Sequence, residues 1–167
     1  MNFTNITYSC GHDGYVELPE NPKKRESQIK FLTEKASCPD CYAATLAKRD
    51  AENKIGCSKV KLSDDVFKAE YSDCKFTKVG ITEPNMRYVF IPYERVAAMG
   101  VLKALGVKKD TPDYKEQIEF VAQKYLSKDT SAARKKLLTD EHISDNTKER
   151  LSVAFDIIEK YQEIISK

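Results

Sequence analysis

The sequence predicts an α+β protein, and three observations carry that prediction. Segments with strand chemistry are confined to the first 92 residues of the 167. From residue 93 onward the apolar residues recur at spacings of three and four, with capping residues between the runs, as amphipathic helices require. Two pairs of ligand-type side chains, Cys10 with His12 and Cys38 with Cys41, frame the first helical stretch. The expected organisation is a Cys/His-bearing segment over residues 1–56, a small β-hairpin region over 57–92 and a helical domain over 93–167.

The elements follow in order. Phe3 to Tyr8 is rich in strand formers with apolar residues near period two, and Tyr15-Val16-Glu17-Leu18 reads as its return strand. Between them Cys10-Gly11-His12-Asp13-Gly14 supplies turn residues, so Cys10 and His12 are expected at the tip of a hairpin. Asn21-Pro22 has the chemistry of a helix start, Asn as cap and Pro at the first helical position. The helix it opens carries Ile29, Leu32 and Ala36, and Cys38-Pro39-Asp40-Cys41 interrupts it before a polar helix from about Pro39 to Asn53.

In the middle segment, Ser58 to Leu62 predicts a short strand and Asp64 to Tyr71 one or two helical turns. Cys74 to Val79 and Arg87 to Ile91 alternate as strands around a Gly80 to Asn85 turn cluster, which predicts a second hairpin closed by Pro92. About four helices are expected in the last segment. One holds Val96 to Leu105 and stops at Gly106; the next is capped by Thr111 with Pro112 at N1 and buries Tyr114, Ile118, Val121, Ala122 and Tyr125. A short basic helix starts at Asp129 or Thr130. The last starts at Ser144 or Asp145 and carries Leu151, Ala154, Phe155, Ile158, Tyr161 and Ile165.

Composition bounds the function. Lys plus Arg number 28 and Asp plus Glu 26, so the net charge of +2 gives no whole-chain drive toward nucleic acid. Residues 107–167 hold 12 residues of each sign, residues 1–57 hold 8 of each, and residues 58–106 hold 8 basic and 6 acidic. No apolar run approaches the length of a membrane span and no apolar leader stands at the start, so neither membrane association nor secretion is expected. The five cysteines, an odd count, argue against a closed disulfide framework and for a reducing, cytoplasmic setting.

The chemistry concentrates in Cys10-x-His12 and Cys38-x-x-Cys41. Zinc takes four thiolate and imidazole ligands in a tetrahedron, and each half of this pattern offers two. The C-x-x-C half sits at a helix start, where free backbone N–H groups favour thiolates. With all four positions filled by protein, one structural Zn²⁺ per chain is expected, and it adds folding energy to a segment with little core. Two alternatives stay open at this level: Cys57 in place of His12, and Cys38 with Cys41 as ordinary thiols or a redox pair.

Tyr8-Ser9-Cys10-Gly11-His12-Asp13-Gly14, then Lys24-Arg25-Glu26, then Cys38-Pro39-Asp40-Cys41-Tyr42 resembles a group of small zinc-ribbon proteins from phages and mobile elements of Gram-positive bacteria. These pair a C-G-H-x-G knuckle with a C-P-x-C knuckle across a short basic helix. Phe67 to Lys75 and Tyr88 to Pro92 are also similar to a segment that follows the ribbon in some of them. The likeness spans roughly residues 8–92 and leaves 93–167 uncovered; Phe31 is a looser match for the group's inter-knuckle aromatic. It implies a zinc ribbon in a phage or mobile-element setting inside a bacterial host, and carries no settled activity.

Other residues are weaker candidates. Asp64, Asp65, Glu70 and Asp73 with Lys75 have the residue types of a metal-dependent nuclease. Lys23-Lys24-Arg25 and Arg134-Lys135-Lys136 are the two densest basic stretches and the candidates for nucleic-acid contact. His142 is the one histidine outside the ligand pattern. No nucleophile elbow, phosphate loop or dinucleotide fingerprint occurs. The expected function is therefore non-enzymatic: a binding protein that docks on a host protein or nucleoprotein complex, for example an inhibitor of a CRISPR or other defence nuclease. A nucleic-acid-binding regulator is the alternative, and a metal-dependent nuclease the second.

Overall fold

The computed structural model describes residues 2–167 and is α+β. The chain divides into two compact units, Met1–Asn53 and Lys54–Lys167. Among the described residues no helix is long and apolar enough to cross a membrane.

In the first unit, strands β1 (Asn2–Thr7) and β2 (Asp13–Leu18) form an antiparallel hairpin with Thr7 opposite Asp13 and Asn2 opposite Leu18. The period of two puts Ile6 and Leu18 on the buried face and Phe3 and Tyr15 on the exposed one. Helix α1 (Pro22–Glu34) starts as its sequence predicts: Pro22 opens it, and the Asn21 side chain accepts the Lys23 and Lys24 N–H groups at 3.1 and 3.3 Å. Arg25 turns back and donates from Nε to the Pro19 carbonyl at 3.2 Å, fixing the helix against the end of the hairpin. Helix α2 (Pro39–Lys54) follows. Neither helix contains a buried residue, and Ile6, Leu18 and Cys38 are the buried apolar side chains of this unit among the described residues. Little apolar surface of this unit is thus fully removed from water.

The second unit opens with β3 (Cys57–Ser63), helix α3 (Asp64–Glu70), β4 (Lys75–Lys78) and β5 (Met86–Pro92). The expected hairpin is present, β4 pairing antiparallel with β5 from Lys75 opposite Phe90 to Lys78 opposite Arg87. What the sequence does not suggest is that β3 joins the other edge of β5, giving one three-stranded antiparallel sheet in the order β3-β5-β4. β3 pairs with β5 along its whole length, Cys57 opposite Pro92 and Ser63 opposite Met86. The central strand is buried on consecutive residues, Val89 at 0% and Phe90 at 1% exposure. α3 packs Phe67 and Tyr71 on Val89 and Ile91.

β5 runs straight into helix α4 (Tyr93–Ala104). This helix ends as the sequence predicts: Gly106 has φ +83°, its N–H donates to the Lys103 carbonyl and the Val107 N–H to that of Leu102. Helices α5 (Tyr114–Val121), α6 (Ser131–Thr139) and α7 (Asp145–Ile165) complete a core with α4, built on Ala98, Val101, Leu102, Leu126, Phe155 and Ile158. Met99 touches both this core and the one under the sheet. Residues 57–92 and 93–167, separate segments in the sequence reading, thus belong to one unit.

Two local expectations are corrected. Thr111-Pro112 does not start α5; Thr111 closes a turn through Oγ1 to the Lys108 carbonyl at 2.7 Å, and Asp113 precedes the first helical residue. After α5 the chain widens into a π-helical turn, Ala122–Leu126. The extra residue in that turn rotates Leu126 into the core at 1% exposure and leaves Tyr125 outside at 47%.

Candidate metal centre

Four side chains converge in the first unit. The ligand atoms of Cys10, His12, Cys38 and Cys41 all lie within 4.8 Å of one another. Among the described residues this is the one group of three or more His, Cys, Asp or Glu side chains placed to hold a metal ion.

The first knuckle is the hairpin tip. The Gly11 N–H donates to the Tyr8 carbonyl and the Tyr8 N–H to that of His12, both at 2.9 Å, so the chain reverses within five residues. The reversal puts Gly11 at φ +82°, where an L side chain is strained. Gly14 is required for a different reason: a Cβ there would stand 2.5 Å from Tyr8 Cε2, so the Tyr8 ring lies directly on its backbone.

The second knuckle is the start of α2. The Cys38 carbonyl accepts the Tyr42 N–H at 2.9 Å, and its sulfur accepts the Cys41 N–H at 3.4 Å. Cys38 thus acts as the cap of α2, with Pro39 at the first helical position. Ser9 joins the two knuckles. Its N–H donates to the Leu32 and Ala36 carbonyls and its Oγ to Ala36 at 2.9 Å, tying the hairpin tip to the end of α1. The sequence motif contains Ser9, but only the fold reveals this role.

The spacing fits a tetrahedral ion. Metal–sulfur bonds near 2.3 Å and metal–nitrogen bonds near 2.05 Å put N and S about 3.6 Å apart across a tetrahedral angle. His12 Nδ1 is 3.3 Å from Cys41 Sγ and 3.7 Å from Cys38 Sγ. Nδ1 is therefore the ring nitrogen placed to serve a metal ion. Cys10 Sγ accepts the Cys38 N–H at 3.2 Å; this bond, with that from the His12 backbone, lowers its pKa to about 6. Cys41 moves the other way, to about 11, because the Cys38 and Cys10 sulfurs crowd it and its burial adds to their effect. The backbone N–H donors and the neighbouring sulfurs thus push the two thiols in opposite directions.

The remaining candidates do not converge. Cys57 lies in β3 and Cys74 just before β4, both outside the cluster, so His12 is its fourth member. Cys74 Sγ accepts from Arg95 Nη1 at 3.5 Å, and burial pushes its thiol pKa up. The acidic candidates are each engaged separately: Asp64 by Arg87, Asp73 by Arg95 and Glu70 by Lys109. Arg87 and Arg95 hold the Asp64 and Asp73 carboxyls below their ordinary pKa. Lys75 is exposed in β4 and Asp65 exposed on α3.

The basic stretches are partly committed. Arg134 donates to Glu159 and Asp156 of α7 at 2.8 and 2.7 Å, and Arg25 holds backbone carbonyls; Lys23, Lys24, Lys135 and Lys136 are exposed. His142 is exposed in the turn before α7. No protein family, curated protein or solved structure matches this chain.

Proposed function

We propose that the first unit is a zinc ribbon and that the chain is a non-enzymatic binding protein, docking on a host protein or nucleoprotein complex such as a defence nuclease of the CRISPR kind. The observation that carries this reading is the donor set. Three sulfurs and one imidazole nitrogen at tetrahedral spacing suit Zn²⁺, and a site whose four positions are all protein side chains is structural. Bound zinc supplies cross-linking and charge balance to a unit with three buried apolar side chains.

Docking is supported by what that unit leaves outside. Phe3, Tyr15, Phe31 and Tyr42 are all more than half exposed, and aromatic side chains supply much of the binding energy at protein interfaces. Nucleic-acid binding is the less favoured reading because Arg25 and Arg134 are already engaged and the charge is nearly balanced.

The test begins with mass measured on native and denatured protein, wild type and Cys38→Ser. One zinc per wild-type chain, absent in the variant, is expected. Tagged wild type should then retain a protein partner from nuclease-treated host extract that Cys38→Ser does not. Binding to plain DNA that falls steeply with salt would favour a nucleic-acid regulator instead. Mg²⁺-dependent cleavage lost in Asp73→Ala would favour a nuclease.

A further inference from the structure

Beside the metal centre lies a concavity of about 420 Å³. The residues that line it include Tyr8, Tyr15, Asp13 and Asp40, together with His12 and Cys38 of the Cys/His cluster. No Lys or Arg is among the residues that line it. Asp13 Oδ1 accepts a hydrogen bond from Thr7 Oγ1 at 2.6 Å, which fixes its orientation and leaves its second oxygen for another donor. Asp40, in the first turn of α2, has no ion-pair partner among the described residues. Tyr15 is 75% exposed, so its ring is accessible from solvent.

These features share one electrostatic sign. Aromatic faces carry the negative part of the ring quadrupole, and two carboxylates add full negative charges. Three thiolates around one divalent ion leave the adjoining centre at about −1 as well. These side chains repel a nucleic-acid phosphate and attract a cationic side chain, the aromatic rings through its charge and the carboxylate oxygens through its N–H groups. The start of α2 contributes the opposite sign, which the Asp40 carboxylate offsets there.

We propose that this concavity receives a Lys or Arg side chain of a partner polypeptide. The proposal deepens the docking reading above and rests on it for the identity of the partner as a protein. The hairpin positions Tyr8, Asp13 and Tyr15, the start of α2 positions Asp40, and the knuckles that hold the metal hold these two walls at their separation.

The probe is a set of three capped peptides, acetyl-Gly-Arg-Gly-amide, acetyl-Gly-Lys-Gly-amide and acetyl-Gly-Gln-Gly-amide. Each is titrated into ¹⁵N-labelled full chain whose zinc content is measured on the same sample. The Arg and Lys peptides are expected to move the amide resonances of residues 8–15 and 38–41, and the Gln peptide to leave them in place. Tyr15→Leu and Asp40→Asn, neither a metal ligand, should each weaken the effect about threefold with zinc retained. Shifts no larger than those from the Gln peptide, or an affinity unchanged in both variants, overturn the proposal. If zinc is present at one per chain when that happens, the pocket fails and the zinc ribbon stands. If zinc is absent, the ribbon reading fails, and the same comparison of peptides still decides the pocket.

Discussion

At the scale of single residues, the metal centre depends on two glycines for two different physical reasons. Gly11 sits at φ +82° with open space around it, so Gly11→Ala incurs backbone strain alone, roughly 1–2 kcal/mol. At Gly14 a methyl group meets the Tyr8 ring at 2.5 Å, and the ring must leave the knuckle. Gly14→Ala is expected to lower zinc affinity more than Gly11→Ala, as competition with a chelator would measure; equal effects would contradict the packing role of Gly14. A second expectation concerns pH. Cys41, with a pKa near 11 in the metal-free chain, must lose its proton to become a ligand, whereas Cys10, near 6, is largely ionised at neutral pH. Metal binding at pH 7.5 should therefore release protons, and affinity should rise with pH through the range in which thiols ionise. Calorimetry in buffers of different ionisation enthalpy reads the release directly, and a buffer-independent heat would contradict it. The convergence of Cys10, His12, Cys38 and Cys41 was legible in the sequence because metal-binding chemistry is carried by residue type and spacing. Ser9 and the Tyr8–Gly14 contact were not, because a hydroxyl, a ring and a glycine acquire their roles only when α1 folds back on the hairpin.

At the scale of elements, three boundaries marked by capping chemistry were legible, whereas Thr111-Pro112 misled because Thr111 closes a turn instead. Asn21-Pro22 opens α1, Ser144 caps α7 by accepting the Thr147 N–H at 3.3 Å, and Gly106 ends α4. What periodicity could not show is a change of period. The π-helical turn after Val121 breaks the spacing of 3.6, so the sequence pointed to Tyr125 as the buried residue where the structure has Leu126. The consequence is measurable. Leu126→Ala should destabilise the chain by about 2–5 kcal/mol and Tyr125→Ala by about 1 kcal/mol or less, as read by chemical denaturation of the second unit. A larger loss from Tyr125→Ala would restore an unbroken α-helix. The pairing of β3 with β5 was hidden for another reason. It joins residues about thirty apart, and nothing local distinguishes a strand that waits for such a partner from one that pairs with its neighbour. Arg87 and Arg95 likewise took up the carboxylates of Asp64 and Asp73 across more than twenty residues, which dissolved an acidic cluster that looked continuous in sequence.

At the scale of the whole molecule, the proposed zinc ribbon has the two units held together internally by different physics. Lys54–Lys167 has a core of eleven buried side chains from α4, α5, the π-helical turn and α7, and a second cluster under its sheet. Among the described residues, Met1–Asn53 has three buried apolar side chains and a cluster of four Cys/His side chains that could hold a metal ion. Core burial is indifferent to chelators, whereas a ligand set of thiolates and imidazole is not. The most direct test of a structural metal is therefore amide hydrogen exchange on the full chain before and after chelation. With zinc bound, β1, β2 and α1 should be protected; after chelation their amides should exchange rapidly while those of β5, α4 and α7 keep their protection. Protection of the first unit that survives complete removal of metal would contradict the account, because its fold would then be held by something other than the four ligands.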